Sequence, residues 1–311
     1  MSNLGKTLAI VNPAARNGDG ARGAAFLRYA AGSPQAPFSS IDIETTRQAG
    51  HATELAAGAS GYDSVLAVGG DGVVHEVLAG LMGISRGQRP AFALIPCGNG
   101  NDYARTLGMS FRMEEALAQL SSSTLRRADV GVCNGEYFAE TLSFGLDAAI
   151  ALGTYERRRR TGHEGTRLFV EEGANQLAFH RDAYSYRATV DGIEQKQGSM
   201  HLMAVQMGPS YGGGFKVCPG ADATDGVLDC CIARAPLGML KAAYLFARAK
   251  DGKHVKRTDV FDFFGAKSIA IEFDAEPPAQ IDGEPISGTK FDIAVLSGAL
   301  GVYFATGAAN S

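Results

Sequence analysis

Three glycine-rich turns that contain asparagine or aspartate are the parts of this sequence best suited to chemistry. They read NPAARNG at residues 12–18, GGDG at 69–72 and PCGNGND at 96–102. Because glycine has no side chain, backbone N–H groups in such turns approach an anion closely, and a helix that begins there adds a favourable dipole. Phosphate is the anion that these turns would bind. The aspartates indicate Mg²⁺, which takes carboxylate oxygens as ligands beside phosphate groups.

The turns must be positioned by the elements around them, and each follows an apolar run typical of a strand. Predicted strands at 7–11, 41–45, 65–68 and 92–95 alternate with predicted helices at 21–31, 53–60, from 73, and at 113–120. This alternation predicts a doubly wound α/β sheet, whose ligands bind at the carboxyl ends of the strands. Neither G-x-x-x-x-G-K-[ST] nor G-x-G-x-x-G occurs, so a P-loop and a dinucleotide fingerprint are both excluded.

The pattern changes after about residue 130 to short strand-like runs separated by glycine turns. These runs lie at 129–133, 137–143, 184–190, 199–207, 227–233, 268–273, 280–281 and 291–295, with helical patterns at 165–179 and 237–249. Many short strands with glycine turns favour a β-rich antiparallel, sandwich-like domain. We therefore expect an α/β domain at residues 1–130 and a β-rich domain at 131–311. The strand-like run at 301–305 is compatible with either domain.

Composition limits the classes of function. A formal charge of −4 over 311 residues argues against a general nucleic-acid binder, because binding to a phosphate backbone needs a basic surface. The five cysteines are odd in number and show no C-x-x-C spacing, which indicates reduced thiols rather than disulfides or zinc. The sequence has no apolar run of bilayer-spanning length and no secretory leader pattern. We therefore expect a cytoplasmic protein whose contact with a membrane is peripheral.

At these turns the sequence resembles the diacylglycerol kinase catalytic-domain family of lipid kinases, which includes the sphingosine and ceramide kinases and, more distantly, NAD kinase. The resemblance covers about residues 8–285 and rests on VNPAARNG, TTRQAGHATELA, VGGDGVVHEVLAGL, IPCGNGNDYAR, SFGLDA, YGGGF, PGADATDGVLD and IDGEP. It implies an ATP-binding first domain and a lipid-substrate second domain, with a cleft between them. The implied reaction transfers the γ-phosphate of ATP, with Mg²⁺, to a hydroxyl of a diacylglycerol-like or sphingoid lipid at the inner membrane face.

The resemblance also implies roles for individual residues. The nucleotide-binding positions are Asn12, Thr46, Gly69, Gly70, Asp71, Gly72, Val73, Val74, His75, Glu76, Asn99, Asn101 and Asp102. Asp71, Asp102 and Asp129 match a water-mediated Mg²⁺ network, and Asp225 with the main-chain carbonyls of Asp222 and Val227 matches a second metal site. Glu284 matches the proton acceptor, and Asp225 and Asp71 are the alternatives for the general base.

Three residues depart from the family pattern and keep other functions open. Val73 and Asn99 stand where threonine is common, and His75 stands where an amide is usual. A nucleotide- or lipid-binding regulator without turnover is the alternative that Val73 and Asn99 suggest, and a NAD kinase-like activity is the alternative that GGDG suggests, because this motif recurs in NAD kinase.

Two basic stretches bear on the membrane prediction. Met239–Lys256 and Arg157–Arg160 fit either contact with anionic lipid or ordinary packing and solvation. The sequence leaves the oligomeric state open and is compatible with a homodimer.

Overall fold

The computed structural model describes residues 3–161, 166–179 and 182–306. Within these residues the chain forms two compact units. Unit 1 contains residues 3–130 and 298–306, and unit 2 contains the described residues of 131–297. The chain leaves unit 1 within strand β5 (Thr124–Cys133) and returns to it within strand β15 (Lys290–Phe304).

Unit 1 is built on parallel strands. These are β1 (Lys6–Val11), β2 (Ser40–Thr45), β3 (Ser64–Gly69) and β4 (Ala91–Pro96), in the order β2-β1-β3-β4. The end of β15 lies beside β4, where Val302 pairs in parallel with Phe92. All residues of β3 are buried, as expected for a strand covered on both faces. The prediction of a doubly wound α/β domain is confirmed.

The helices of unit 1 connect these strands. They are α1 (Asp19–Ala30), α2 (His51–Ala57), α3 (Asp71–Met82), α4 (Asp102–Thr106) and α5 (Met113–Ser122). The strands end level with one another, because Val11 pairs with both Thr45 and Val68, and Val68 pairs with Ile95. The polar turns that follow β1, β2, β3 and β4 therefore lie at one edge of the sheet.

Unit 2 is an antiparallel β domain, which confirms the second part of the predicted fold class. It adds β6 (Glu136–Phe138), β7 (Thr141–Gly145), β8 (Tyr184–Val190), β9 (Glu194–Gln206), β10 (Leu228–Arg234), β11 (Phe261–Ala266), β12 (Ser268–Phe273), β13 (Ala279–Ile281) and β14 (Glu284–Ile286). The strand order is β14-β13-β7-β9-β8-β12-β15, and β10 pairs with both β9 and β11.

In the part of unit 2 that the structure describes, the α-helices are α6 (Leu146–Thr161), α7 (Thr166–Phe179) and α8 (Met239–Ala249). Alternate side chains of β9 enter two cores. Met203 and Val205 pack within the sheet domain, whereas Ala204 packs in a second cluster with Ile150 of α6 and Leu245 of α8. No helix in the described residues is both long enough and apolar enough to span a membrane.

Helix α6 is absent from the sequence prediction, which placed a strand at 137–143 and the next helix only at 165–179. Gly145, at the end of β7, has a φ of +77°, and a side chain there would strike the backbone carbonyl of His201. Glycine therefore permits the abrupt change from β7 to α6.

Candidate active site

The turns after β3 and β4 are in direct backbone contact. A Cβ added to Gly70 would lie 2.8 Å from the Cα of Gly98, and one added to Gly98 would strike Gly70 in return. Gly70 has a φ of −98°, so glycine is required there by the close approach and not by backbone strain. Helix α3 begins at the next residue. The result is a surface of main-chain groups at a helix N-terminus, which is suited to an anion.

Asp71 joins the two turns through its carboxylate. Its Oδ2 accepts the N–H of Asn101 at 2.8 Å, and its Oδ1 accepts the N–H of Asp102 at 2.8 Å. The Asn101 side chain in turn bonds the backbone of Gly98 twice, each time at 2.8 Å. Asn101 also has a φ of +54°. Asp71 and Asn101 therefore determine the shape of the turn.

Asp71 and Asp102 bring two carboxylates together. A methyl group on Gly100 would lie 2.5 Å from Asp71 Oδ2 and 3.3 Å from Asp102 Oδ2, so both oxygens lie on the same side of this glycine. Arg105 donates to Asp102 Oδ1 at 2.9 Å. Two neighbouring carboxylates supply oxygen ligands of the kind that Mg²⁺ takes. Among the described residues, no group of three or more His, Cys, Asp or Glu could hold a metal.

Several other predicted residues lie at the same edge. Asn12 follows β1 and accepts the N–H of Ala14 at 3.0 Å, and Thr46 follows β2 and donates its N–H to Val11 at 2.8 Å. Val73 and Val74 are buried on α3, so a nucleotide would meet their backbone and not their side chains. Gly69 is the last residue of β3, Gly72 is the second residue of α3, and Asn99 lies in the turn after β4. The structure therefore collects these residues at one edge.

Glu76 has a structural role that the sequence did not indicate. Its two carboxylate oxygens accept the N–H groups of Gly50 and Ala52, each at 3.0 Å. These groups belong to the start of α2, the helix that follows the Thr46 turn. Through these two hydrogen bonds Glu76 holds the start of α2, and with it the turn that contains Thr46. His75 lies half-buried beside it on α3.

The structure separates Asp129 from the Asp71–Asp102 pair. Asp129 Oδ1 accepts the N–H of Gly298 at 2.6 Å. Gly298 lies shortly before the residue of β15 that pairs with the start of β4, and Arg86, which precedes β4, donates to its carbonyl at 2.9 Å. Because β15 and β4 are parallel there, Asp129 lies at the amino end of β4. The expectation that all three aspartates share one Mg²⁺ network is not supported by this placement.

The second predicted metal site lies on a loop of unit 2. Asp222 Oδ1 accepts the N–H and hydroxyl of Thr224 at 3.0 and 2.7 Å, and Asp225 Oδ1 accepts the N–H of Val227 at 3.0 Å. Burial, together with the charges of Asp225 and Asp222, raises the pKa of Asp229 to about 6. A cation would relieve this repulsion. The oxygen donors of the loop fit such an ion, and its binding stays a prediction.

Glu284 lies exposed at the start of β14, after a turn that is tightly anchored. Asp282 and Gly283 have φ values of +47° and +96°, as in a type I′ hairpin turn. The Asp282 carboxylate accepts three backbone N–H groups at 2.7–3.0 Å, from residues 139–141. The turn is therefore held firmly, while Glu284 faces solvent. Asp225 is also exposed.

Asp147 is a chemically notable residue that the sequence analysis did not select, although it lies in the SFGLDA motif. It is buried in the first turn of α6, and the hydroxyls of Tyr211 and Ser143 donate to it. Burial raises the pKa of Asp147 to about 6. The available signal was that Asp147 is the one polar residue in the run FGLDAAIALG at 144–153, and an apolar run of this kind predicts a buried segment.

Helix α8, the helical part of Met239–Lys256, packs on its own domain, which is one of the two alternatives that the sequence left open. Its Ala242 and Leu245 are buried, whereas Leu240 is 83% exposed and Tyr244 52% exposed. The helix therefore packs on its own domain with one face and presents apolar side chains on the other. In the arginine run of α6, the side chains of Arg158 and Arg159 lie outside the described residues.

Comparison with protein families divides the chain into two consecutive matches. Residues 6–133 match the model described as diacylglycerol kinase catalytic domain. Residues 140–304 match the model described as YegS C-terminal NAD kinase beta sandwich-like domain. The second match covers more than half of the chain.

Individual relatives align along nearly the whole chain. A Chromohalobacter salexigens protein named "probable lipid kinase YegS-like" is 28% identical over 88% of this chain and 87% of its own. A Mycobacterium tuberculosis protein named "diacylglycerol kinase" is 29% identical, covering 86% and 85%. The crystal structure of a diacylglycerol kinase from Bacillus anthracis superposes with a TM-score of 0.79 at 25% identity, covering 98% of both chains. This chain therefore belongs to the family that joins a diacylglycerol kinase catalytic domain to a YegS C-terminal domain.

Proposed function

We propose that this protein is an ATP-dependent lipid kinase that transfers the γ-phosphate to a hydroxyl of a diacylglycerol-like or sphingoid lipid. The observation that carries the proposal is the backbone contact between Gly70 and Gly98 at the start of α3, beside the carboxylates of Asp71 and Asp102. Main-chain donors next to acidic side chains are suited to a phosphate chain and its divalent ion. The names of the relatives support the lipid as acceptor.

In this proposal the edge of the unit 1 sheet binds the nucleotide. The first N–H groups of α3 and the glycine turns hold the phosphates, and Asn12 and Thr46 line the same edge. Mg²⁺, held by Asp71 and Asp102 through water, would neutralise the charge that develops on the phosphate oxygens. Most of the work of phosphoryl transfer is positioning and charge stabilisation, which a rigid turn of this kind supports.

Glu284 is our choice for the general base. A lipid hydroxyl is a weak nucleophile, and a carboxylate that accepts its proton typically contributes about 10²–10⁴-fold to the rate. The hydroxyl oxygen forms a bond to the γ-phosphorus, its proton passes to Glu284, and the bond to the β-phosphate oxygen breaks to release ADP. Glu284 suits this role because it is exposed on an anchored turn, whereas both Asp71 oxygens already accept backbone N–H groups.

An apolar cavity in unit 2 supports a lipid acceptor over NAD. The cavity is enclosed mainly by hydrocarbon side chains of α6, α7, α8, β9 and β10. NAD carries two phosphates and two sugars, and its rings carry polar nitrogen or amide groups, which a hydrocarbon lining does not pair. A NAD kinase-like activity therefore finds less support in the lining of this cavity.

We also propose that the exposed face of α8 contacts the membrane that supplies the lipid. Leu240, Met239 and Tyr244 are exposed on this helix, and Lys241 and Arg248 lie among them. Apolar side chains flanked by cations suit the interface of an anionic bilayer. The opposite face of the same helix forms part of the cavity wall.

The direct test is incubation of the purified protein with γ-labelled ATP, Mg²⁺ and a panel of acceptors. The panel contains diacylglycerol, sphingosine, ceramide and NAD. Label in a lipid fraction is the expected result. Label in NAD alone would replace the lipid assignment with NAD kinase activity, and label in no fraction would indicate a binding protein without turnover.

A further inference from the structure

Arg105, in the last turn of α4, contacts the turn after β4 at two points. Its Nη1 group donates to the main-chain carbonyl of Gly100 and to the Asp102 carboxylate, where the distance to Oδ1 is 2.9 Å. The guanidinium carbon also lies 4.8 Å from the centre of the Phe111 ring, which adds a cation–π contact. A guanidinium held by two hydrogen bonds and a ring has little freedom to move. Arg105 therefore fastens the turn to α4.

The peptide group between Gly100 and Asn101 is held at both of its ends. Its carbonyl accepts the hydrogen bond from Arg105, and its N–H donates to Asp71 Oδ2 at 2.8 Å. Because a peptide group is planar, hydrogen bonds at its two ends fix the direction of the whole group. Arg105 therefore acts on the same peptide group as Asp71.

The bond from Arg105 also determines which oxygen of Asp102 lies beside Asp71. Arg105 engages Oδ1, whereas Oδ2 lies on the side of Gly100, where an added Cβ would be 3.3 Å from it and 2.5 Å from Asp71 Oδ2. Rotation of the Asp102 carboxylate would break the bond to Arg105. The arginine therefore keeps Asp102 Oδ2 on the side that Asp71 Oδ2 also faces.

This ion pair differs from a nearby pair with the same spacing along the chain. The side chains of Arg105 and Asp102 are 29% and 9% exposed, whereas those of Arg112 and Glu115 are 75% and 54% exposed. Exposed pairs of this kind contribute little, because water and salt screen them. The Arg105–Asp102 pair is screened less, so its geometry is maintained more strongly.

We infer that Arg105 is a positioning residue for the divalent ion of the nucleotide site, which acts by presenting Asp102 Oδ2 beside Asp71 Oδ2. The inference rests on the proposed function for the binding of ATP with Mg²⁺, but it needs no lipid. In this role Arg105 acts through Asp102 and not by contact with the ion. Hydrogen-bond partners of metal-ligating carboxylates typically change metal affinity or activity by about 10–100-fold when they are replaced.

The experiment measures ATP affinity by titration calorimetry, once with Mg²⁺ and once with EDTA and no divalent ion. The ratio of the two affinities is the Mg²⁺ enhancement. Arg105→Gln should reduce this enhancement about tenfold or more, while affinity in EDTA stays within about threefold of wild type. The titrations use about 0.15 M NaCl, so that loss of one charge has little effect on ATP beyond about 8 Å.

Two further variants separate orientation from charge. Arg105→Lys keeps the charge but loses the planar guanidinium and its contact with Phe111, so it should recover part of the enhancement. Arg112→Gln removes the exposed arginine of the control pair and should match the wild-type protein. If Arg105→Gln does not fold, the enhancement in Arg105→Lys decides the question, since it should lie below that of wild type.

A second measurement needs neither ion nor nucleotide. Hydrogen exchange followed by mass spectrometry reports on the N–H groups of Asn101 and Asp102, which donate to Asp71. In Arg105→Gln these groups should exchange about tenfold faster than in wild type, because the turn has lost a hydrogen bond from a charged group. Exchange at the wild-type rate would contradict the proposed hold on the turn.

The outcomes distinguish this inference from the proposed function. An unchanged or larger Mg²⁺ enhancement in Arg105→Gln, or an equal loss of affinity with Mg²⁺ and with EDTA, would overturn the positioning role even if lipid is phosphorylated. An enhancement that depends on Arg105, in a protein that phosphorylates no lipid, would support the role and remove the kinase proposal.

Discussion

Gly72→Ala separates the ligand role of the glycine turn from its structural role. Gly72 is exposed as the second residue of α3, and a Cβ added there would meet no atom within 4 Å. Unlike Gly70 and Gly98, it has no close backbone contact that excludes a side chain. Glycine in a helix is destabilising by about 0.5–1 kcal/mol relative to alanine. The close approach of a ligand to the backbone of Gly72 would explain why a glycine occupies this position.

The substitution should therefore change stability and nucleotide binding in opposite directions. The free energy of unfolding should rise by up to about 1 kcal/mol, or about 2–4 °C in Tm. Affinity for ATP should fall, because a methyl group at the helix start keeps a phosphate from the backbone N–H groups. Loss of one charge-assisted hydrogen bond of about 1.5–3 kcal/mol corresponds to about tenfold to a hundredfold in Kd.

Titration calorimetry with ATP and Mg²⁺, together with thermal unfolding, measures both quantities on the same sample. Gly87→Ala is the matched control, since Gly87 is also exposed with no atom within 4 Å of an added Cβ and lies outside the predicted site. It should leave ATP affinity unchanged. Wild-type ATP affinity in Gly72→Ala, with the stability gain present, would refute the assignment of this turn to the phosphates.

Four further predictions concern other parts of the proposed mechanism. Asp71→Asn should reduce kcat more than about a hundredfold while costing about 1–3 kcal/mol of stability, because one backbone N–H loses its acceptor; wild-type turnover in a kinase assay would contradict this. Glu284→Gln should lower kcat by about 10²–10⁴-fold with the KM for ATP within about threefold; equal effects on both constants would reassign Glu284 to binding. Leu240→Glu should weaken sedimentation with anionic vesicles about tenfold or more, whereas Ile193→Glu, at an equally exposed apolar site, should not; equal loss in both variants would remove the role of α8. The pKa of Asp147 is raised by burial from 3.8 to about 6, so the wild-type protein loses stability as the pH rises between these values. Asp147→Asn should remove this loss, giving the variant a relative gain of up to about 3 kcal/mol across that window; a difference in unfolding free energy that stays constant with pH would contradict the assignment.

The glycine turns show how far local pattern predicts a site. Apolar runs of strand length, each followed by glycine and an acid or amide, identified β1, β3 and β4 and the edge at which they end. The prediction succeeded because parallel strands in register place their carboxyl ends together whatever their loops contain. Sequence pattern alone did not reveal that both carboxylate oxygens of Asp71 accept backbone N–H groups of the turn after β4.

Asp129 and α6 show where the pattern was insufficient. Asp129 lies within β5 and not after a strand as Asp71 does, and β5 runs beside β15, which returns from the far end of the chain. The run at 301–305 that could not be placed from sequence is the end of that same strand. Helix α6 was missed because it follows β7 with no intervening loop, and the glycine that allows this looks like any other in the sequence.

The amino-acid sequence by itself determined the two fold classes, the strand-end position of the glycine turns and the resemblance to lipid kinases, because these depend on periodicity and on residues close together in the chain. The tertiary structure determined which distant parts of the chain each acidic side chain contacts. Asp71 reaches the turn of Asp102, Asp282 holds the turn before Glu284, and Asp147 is buried in an apolar cavity. Those pairings join residues far apart in the chain, so strand order and packing determine them and local spacing does not.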